Sequence, residues 1–508
     1  MSLAIVYSRA SSGITAPLVT VETHLSMGTV GFYIVGLPET AVKESRDRIR
    51  SAFLNTHFEF PIRHLTVNLA PADLPKEGGR FDLPIALGIL AASKQIPYHA
   101  LAEYEFVGEL ALSGELRPIR GVLPVVLGAL QAGRQLIVPV QNAAEAALVK
   151  SAKVLQAKHL LEVCAHLKGE SLLSPCSSVE MALPAETGMD LADVKGQIQA
   201  KRALEVAAVG RHSILFIGPP GTGKTMLASR LPTILPELGE QQALETAAIA
   251  SVSSSGFNPM QWKRIPFRAP HHSSSSVALV GGGRPPRPGE ISLAHHGVLF
   301  LDELAEFNRH VLECLREPLE SGCITISRAA CQALFPAQFQ LIAAMNPCPC
   351  GYAGSGMDVC HCSREQINRY LAKISGPLLD RIDMHVEVPR LPPEALLETA
   401  NKTKETSQVV REAVIKAREY QWKRQGKYNN ALTVPELDRI SCMENKAEQL
   451  LHQVMIKFNL SARAYHRILK VARSIADHAA SETINDTHLG EALNYRCFDR
   501  INKQNNSY

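Results

Sequence analysis

At 508 residues the chain is too long for one hydrophobic core, and roughly two to four domains are expected. Hydrophobic residues make up 46% and charged residues 20%, which excludes a disordered chain because enough apolar surface exists to offset the entropy of ordering. A net charge of only +4 excludes bulk attraction to nucleic acid or anionic membrane, so any DNA contact must come from local basic clusters. The opening MSLAIVYSRASSG is too short in apolar residues for a signal peptide, and no apolar run approaches the ~18 residues of a membrane span. A cytoplasmic protein without a membrane partner is expected. Its eleven cysteines then read as reduced thiols or metal ligands.

Residues 1–172 alternate β-favouring runs (Leu3–Tyr7, Gly31–Val35, His64–Asn68, Tyr104–Gly108, Gln135–Pro139) with helical stretches at Thr40–Phe53 and Asp82–Ser93, the order of a mixed α/β domain. Residues 173–190 carry neither helical nor strand periodicity and read as a linker. From 191 to 393 the order is strand, Gly-rich turn, helix and further apolar strands, which suits a parallel sheet covered by helices. In 394–508 apolar residues recur at helical spacing in Glu394–Gln421, Val434–Phe458, Ala462–His478 and Asn485–Tyr495, so this part is all-helical.

GPPGTGKT occupies 218–225, between the apolar strand Ile214–Ile217 and a helix. This is the context in which GxxxxGK(S/T) binds phosphate: Gly218, Pro219, Pro220, Gly221, Thr222 and Gly223 wrap backbone N–H groups around the anion, Lys224 neutralises the β- and γ-phosphates, and Thr225 ligates Mg2+. GVLFLDEL at 297–304 is a buried strand whose carboxyl end carries two acids, Asp302 for the metal shell and Glu303 to polarise a water. ATP and Mg2+ are the expected cofactors. Further polar groups should converge on the γ-phosphate. Asn346, at the end of the strand Phe339–Ala344, is one candidate; Arg381 in SGPLLDRID and Arg463 in LSARAYHRILKVAR are others. From the residues alone each arginine is as readily a surface or ion-pairing group.

The run from DLADVKGQ at 190–197 to LSARAYHRILKVARSIA, with FRAPHHSSSSVALVGGG, RPGEISLAHHGVLFLDELAEF and SGPLLDRID between, resembles the magnesium-chelatase-like AAA+ ATPases, and among them the ComM/YifB family. The resemblance covers nearly the whole chain. It implies an AAA+ P-loop α/β core followed by a C-terminal helical lid domain. It also implies a hexameric ring with ATP at subunit interfaces, Asn346 as sensor one, Arg381 as trans-acting finger and Arg463 as sensor two. The implied function is a branch-migration helicase that integrates single-stranded DNA during natural transformation. Its partners would be single-stranded and branched DNA, other copies of the chain, and recombination proteins.

Two insertions bear on a DNA role. The segment with Arg268, His271, His272 and GGGRPPRPG is more than a bare nucleotide-binding core needs, and it resembles the insert lining the central pore of this clade. CITISRAACQALFPAQFQ at 323–340 reads as a β-hairpin with Arg328 at its tip. Basic side chains there would grip phosphates without reading sequence; the alternative is that both are subunit-packing or substrate-neutral loops.

The N-terminal part resembles the Lon protease domain, an α+β unit, through LTVNLAPADLPKEGGRFDLPIALGILAAS and FVGELALSGELRPIRGVLPVVLGALQAGRQLIVP. Overlaying the two patterns puts Arg80 at the nucleophile position and Leu123 at the lysine position, so serine–lysine peptide hydrolysis is not supported, and Ser11, Ser12 and Lys76 are poor substitutes. An assembly or DNA-contacting module is expected, with Arg80, Arg117 and Arg120 as surface groups. After the sensor strand, Cys348, Cys350, Cys360 and Cys362 form two C-x-C pairs, with His361 as an alternative ligand. They suit a structural Zn2+ that pins a loop lacking its own core, against the alternatives of plain reduced thiols or a redox role. Three functions compete: a DNA motor, a chelatase-like motor that remodels a protein partner, and an ATP-gated ring that never translocates.

Overall fold

Along Leu18–Ser26 the side chains of Val19, Val21, Thr23 and Leu25 are buried while their neighbours are not, the period-two pattern of a strand with one covered face. The computed structural model describes residues 3–177, 188–283, 286–328, 331–354, 360–392, 406–458 and 460–496. In it this strand lies inside a seven-stranded sheet ordered Gly31–Val35, His64–Ala70, Leu18–Ser26, Leu3–Arg9, Tyr104–Phe106, Gln135–Pro139, Val154–Ala157. Leu18–Ser26 and Val154–Ala157 add to the expected strands. The wholly buried helix Asp82–Ala92 packs on one face, where Val6, Val21, Leu65 and Phe53 join its core. The expected helix Thr40–Phe53 is interrupted at Glu44, giving Thr40–Lys43 and Ser45–Asn55. Beyond its last helix this unit continues to Cys176, because the Gln156 and Cys176 amides bond to Ser174 and Val154 along the edge strand. Most of the expected linker, 178–187, lies outside the described residues.

The second sheet has five strands ordered Phe267–Arg268, Val298–Leu301, Gln340–Met345, Ile214–Ile217, Met384–Glu387, with every pair parallel. Ile214–Ile217, Val298–Leu301 and Gln340–Met345 are buried along their whole length, which suits their apolar sequences; the one polar residue among them, Gln340, donates to the Ala207 and His212 carbonyls. The hairpin Cys323–Arg328 with Cys331–Pro336 stands apart as its own two-stranded ribbon.

The C-terminal part consists of helices Ser407–Gln425, Val434–Ile440, Asn445–Phe458, Ala462–His478 and Asp486–Asn494. Residues 393–405, the start of the expected helix Glu394–Gln421, lie outside the described residues. Val434–Phe458 is two helices rather than one, since residues 442 and 444 exchange backbone hydrogen bonds with Ile484 instead of continuing the first helix. Ala462–His478 carries Arg467, which pairs with Asp383 of the core, while Asp383 also accepts from the Ser213 amide and hydroxyl. Burial raises the Asp383 carboxyl, but Arg467 and His212 outweigh it and hold the group well below the ordinary carboxylate range. No helix among the described residues is long and apolar enough to cross a membrane.

The N-terminal unit is seated on the core through helices Val122–Gln131 and Glu240–Val252, with Val122, Val126, Ala247 and Ala248 in one apolar cluster and the Gly121 amide bonded to the Ser251 carbonyl. Its turn at Gly13 reaches the hairpin, where a methyl group on Gly13 would lie 3.4 Å from Ala333 Cβ. Glu145 lies at this seam beside the Ser251 hydroxyl, and burial pushes its carboxyl up to about 7. The seated state therefore holds a proton more tightly than a free glutamate does, so seating weakens as pH rises above the ordinary value of about 4.3. The loss is complete once pH passes about 7. Amides of 244–252 should exchange faster, after correction for intrinsic chemistry, at about pH 7.5 than at about pH 5.5, and Glu145→Gln should remove that difference.

Candidate nucleotide site and its surroundings

The phosphate loop leaves the strand Ile214–Ile217 and enters the helix Lys224–Ile234. Gly221 and Gly223 take φ of +76° and +90°, a region other residues avoid, and a methyl group on either would meet nothing within 4 Å, so the space above the loop is open. Lys224 Nζ, buried, folds back onto the carbonyls of Gly218 at 2.7 Å and Pro219 at 2.8 Å and lies 3.2 Å from Asn346 Oδ1. Burial pushes its ammonium below the ordinary lysine value, and Asp302 and Glu303 pull it back.

The order of strands places these groups. Gln340–Met345 lies between the loop strand and Val298–Leu301, so Asn346 emerges between Lys224 and Asp302 at the carboxyl edge of the sheet, where such folds bind ligands. Thr225 Oγ1 donates to Asp302 Oδ2 at 2.7 Å, which joins the hydroxyl and carboxylate expected to share a metal shell. Asp302 Oδ1 accepts the Glu303 amide at 2.9 Å. Glu303 itself has φ +52°, a strained conformation for a non-glycine residue. Its carboxylate lies 3.1 Å from His272 Nδ1.

Residues 218–225, Asp302, Glu303 and Asn346 are thus brought together. Arg381 and Arg463 are not among them. They line a cavity of about 690 Å3 with Arg467 and Lys470, to which no residue of 218–225 contributes. Arg381 is tied there to Glu320 and to the Pro377 carbonyl at 2.7 Å, whereas Arg463 is exposed. In this chain, therefore, neither arginine lines the space around its own phosphate loop.

The residues expected to face DNA fare differently. Arg268 makes a bidentate pair with Glu290 at 2.6 and 2.7 Å through Nε and Nη2, which fixes the orientation of the guanidinium. His272 is engaged with Glu303 at the nucleotide site, while His271 is exposed and bonds Ser273 at 2.8 Å. Arg328 ends its strand opposite Cys331, and its side chain lies outside the described residues. In the N-terminal unit Leu123 is fully buried and Arg80 donates to the Arg120 carbonyl at 2.9 Å.

The four cysteines converge, with Sγ of Cys348 3.3 Å from Cys350 and 3.7 Å from Cys360, and Cys350 3.5 Å from Cys360. Cys362 completes the group within 4.8 Å, and exposed His361 is outside it. Glu245, His295 and His296 also gather ligand-type atoms. Here His295 Nδ1 accepts the Gln338 amide at 3.0 Å, and burial together with His296 holds this imidazole far down, at about 3. Its single proton is therefore on Nε2 and faces the Glu245 carboxylate at 3.5 Å.

Sequence reasoning missed Glu320, Glu290 and the engagement of His272, because each pairs with a group remote in the chain. Gln197 was also missed: at φ +52° it donates to the carbonyls of Thr222 and Pro389, bracing the phosphate loop. Only its place in DLADVKGQ signalled it.

A five-stranded parallel sheet with the phosphate loop beside an intervening sensor strand, and a helical lid behind it, defines a P-loop nucleoside triphosphatase of the AAA+ kind. The family described as "Magnesium chelatase, subunit ChlI" matches residues 190–396, its C-terminal part matches 404–496, and "Subunit ChlI of Mg-chelatase" matches 21–142. Competence protein ComM of Haemophilus influenzae is 54% identical over 99% of both chains, and protein YifB of Escherichia coli is 50% identical over 99% of this chain and 98% of its own. The magnesium-chelatase 38 kDa subunit of Cereibacter sphaeroides is 26% identical over 30% of this chain and 51% of its own. The chain belongs to the ComM/YifB family of magnesium-chelatase-like AAA+ ATPases.

Proposed function

We propose that this protein is an ATP-driven DNA motor, a hexameric ring that migrates branches and so promotes integration of single-stranded DNA during natural transformation. The observation that carries the reading is the convergence of Lys224, Thr225, Asp302 and Asn346 in a chain that aligns end to end with a competence protein. The open space over Gly221 and Gly223 fits a triphosphate, and the Thr225–Asp302 pair has the oxygen donors that Mg2+ prefers. Bound Mg2+ would neutralise phosphate charge. Lys224 exchanges loop carbonyls for phosphate oxygens, Glu303 leaves His272 to orient the attacking water, and Arg381 and Arg463 serve the neighbouring chain's nucleotide from their shared cavity. The four-thiol cluster holds structural Zn2+.

On this reading the N-terminal unit is a Lon-like domain without peptidase chemistry, since a buried leucine cannot act as a base. It is an assembly module that touches the hairpin through Gly13. The family's chelatase-derived name favours a second reading, a motor that remodels a protein partner to insert a metal. Against it stand the Lon-like N-terminal unit and the hairpin that ends at Arg328. ATPase assays with and without single-stranded and forked DNA, run beside a four-strand junction assay, separate the two. The DNA reading expects stimulation and ATP-dependent junction dissociation; a folded protein that neither binds nor remodels DNA under ATP sinks it.

A further inference from the structure

The sulfurs of Cys348, Cys350 and Cys360 lie 3.3 to 3.7 Å apart, with Cys362 within 4.8 Å, far from the ~2.05 Å of a disulfide and close to the ~3.8 Å edge of a tetrahedron with 2.3 Å zinc–sulfur arms. Backbone amides point at them: Ala353 donates to Cys348 Sγ at 3.3 Å, and the Tyr352 and Cys362 amides serve Cys350 and Cys360. Such donors stabilise thiolates. The position of the cluster is as informative as its geometry. Cys348 lies two residues beyond Asn346, and Cys362 immediately precedes Ser363, which caps the helix Arg364–Leu371. An ion there ties the end of the sensor strand to the start of that helix, whose Tyr370 hydroxyl accepts the Asn346 amide. Between the cysteines, Gly351 at φ +89° presses on the phosphate loop so closely that a methyl group on it would lie 2.7 Å from Pro220 Cδ.

We infer that Cys348, Cys350, Cys360 and Cys362 bind one zinc-class divalent ion whose presence sets both Asn346 and the Pro220 side of the phosphate loop, so that nucleotide binding depends on metal occupancy. The inference rests on residues 218–225 being the ATP site. No open coordination position is needed, and the ion takes no part in hydrolysis; it acts as a clamp on two groups that touch the triphosphate.

The test uses the full chain purified under reducing conditions. Elemental analysis should find one zinc per chain, retained in Lys224→Ala protein. Removing the metal with a chelator should expose four additional reactive thiols and weaken binding of a fluorescent ATP analogue by roughly tenfold or more. Zinc added back should restore affinity, and Co2+ in its place should show the visible bands of a tetrahedral thiolate site. Cys360→Ser with Cys362→Ser, checked by circular dichroism for an intact fold, should lose metal and nucleotide affinity together. Unchanged affinity after complete metal removal overturns the coupling. Full nucleotide binding by protein that never takes up zinc or cobalt overturns the site itself. Protein that carries one zinc yet binds no nucleotide sinks the ATP site, and the coupling with it, while leaving the metal assignment intact; zinc stoichiometry thus tells the two failures apart.

Discussion

Glu303→Gln protein is expected to bind ATP and hold it, with turnover lowered by roughly 10²–10⁴, the contribution of a positioned general base. Glutamine keeps the shape of the side chain and its place after the strand Val298–Leu301 but cannot take a proton from water. Its neighbour Asp302 keeps the hydrogen bond to Thr225, so the metal shell and the affinity should survive. Lys224→Ala should do the reverse, since the removed ammonium is the group 3.2 Å from Asn346 that meets the phosphates. Retention of radiolabelled ATP on a filter, measured with phosphate release, separates the two variants. Wild-type turnover by Glu303→Gln protein would remove Glu303 from the chemistry.

The second large effect concerns Arg381. Its guanidinium lies in the cavity it shares with Arg463, away from its own phosphate loop and paired with Glu320. Loss of an arginine that stabilises phosphoryl-transfer charge in trans costs about 10³–10⁵ in rate. Arg381→Ala protein should therefore be nearly inactive while binding ATP normally. Mixing supplies the decisive control: Arg381→Ala chains keep a working phosphate loop and Lys224→Ala chains keep a working finger, so a mixture should regain activity that neither has alone. Failure of every ratio of the two to recover hydrolysis would mean that Arg381 does not act across an interface.

Much of the site was legible because its parts are contiguous. A phosphate loop needs its glycines, lysine and hydroxyl within eight neighbouring positions, since the same short stretch of backbone must wrap one anion. The apolar run before Asp302 declared a buried strand, and the spacing of the four cysteines declared a cluster whose sulfurs all lie within 4.8 Å of one another. The helical C-terminal part followed from period alone.

Other features depend on partners far away in the chain, and no local pattern encodes them. The pairing of Arg268 with Glu290 and the place of His272 beside Glu303 are of this kind. The break inside Val434–Phe458 comes from Ile484 taking backbone hydrogen bonds, which helical periodicity cannot foresee. The elevated Glu145 carboxyl exists only because a second unit buries it. The residues by themselves determined which chemistry the chain carries, through short motifs whose geometry is local. Tertiary structure decided which of those groups are free and which are held, because burial and ion pairing depend on what long-range packing brings alongside.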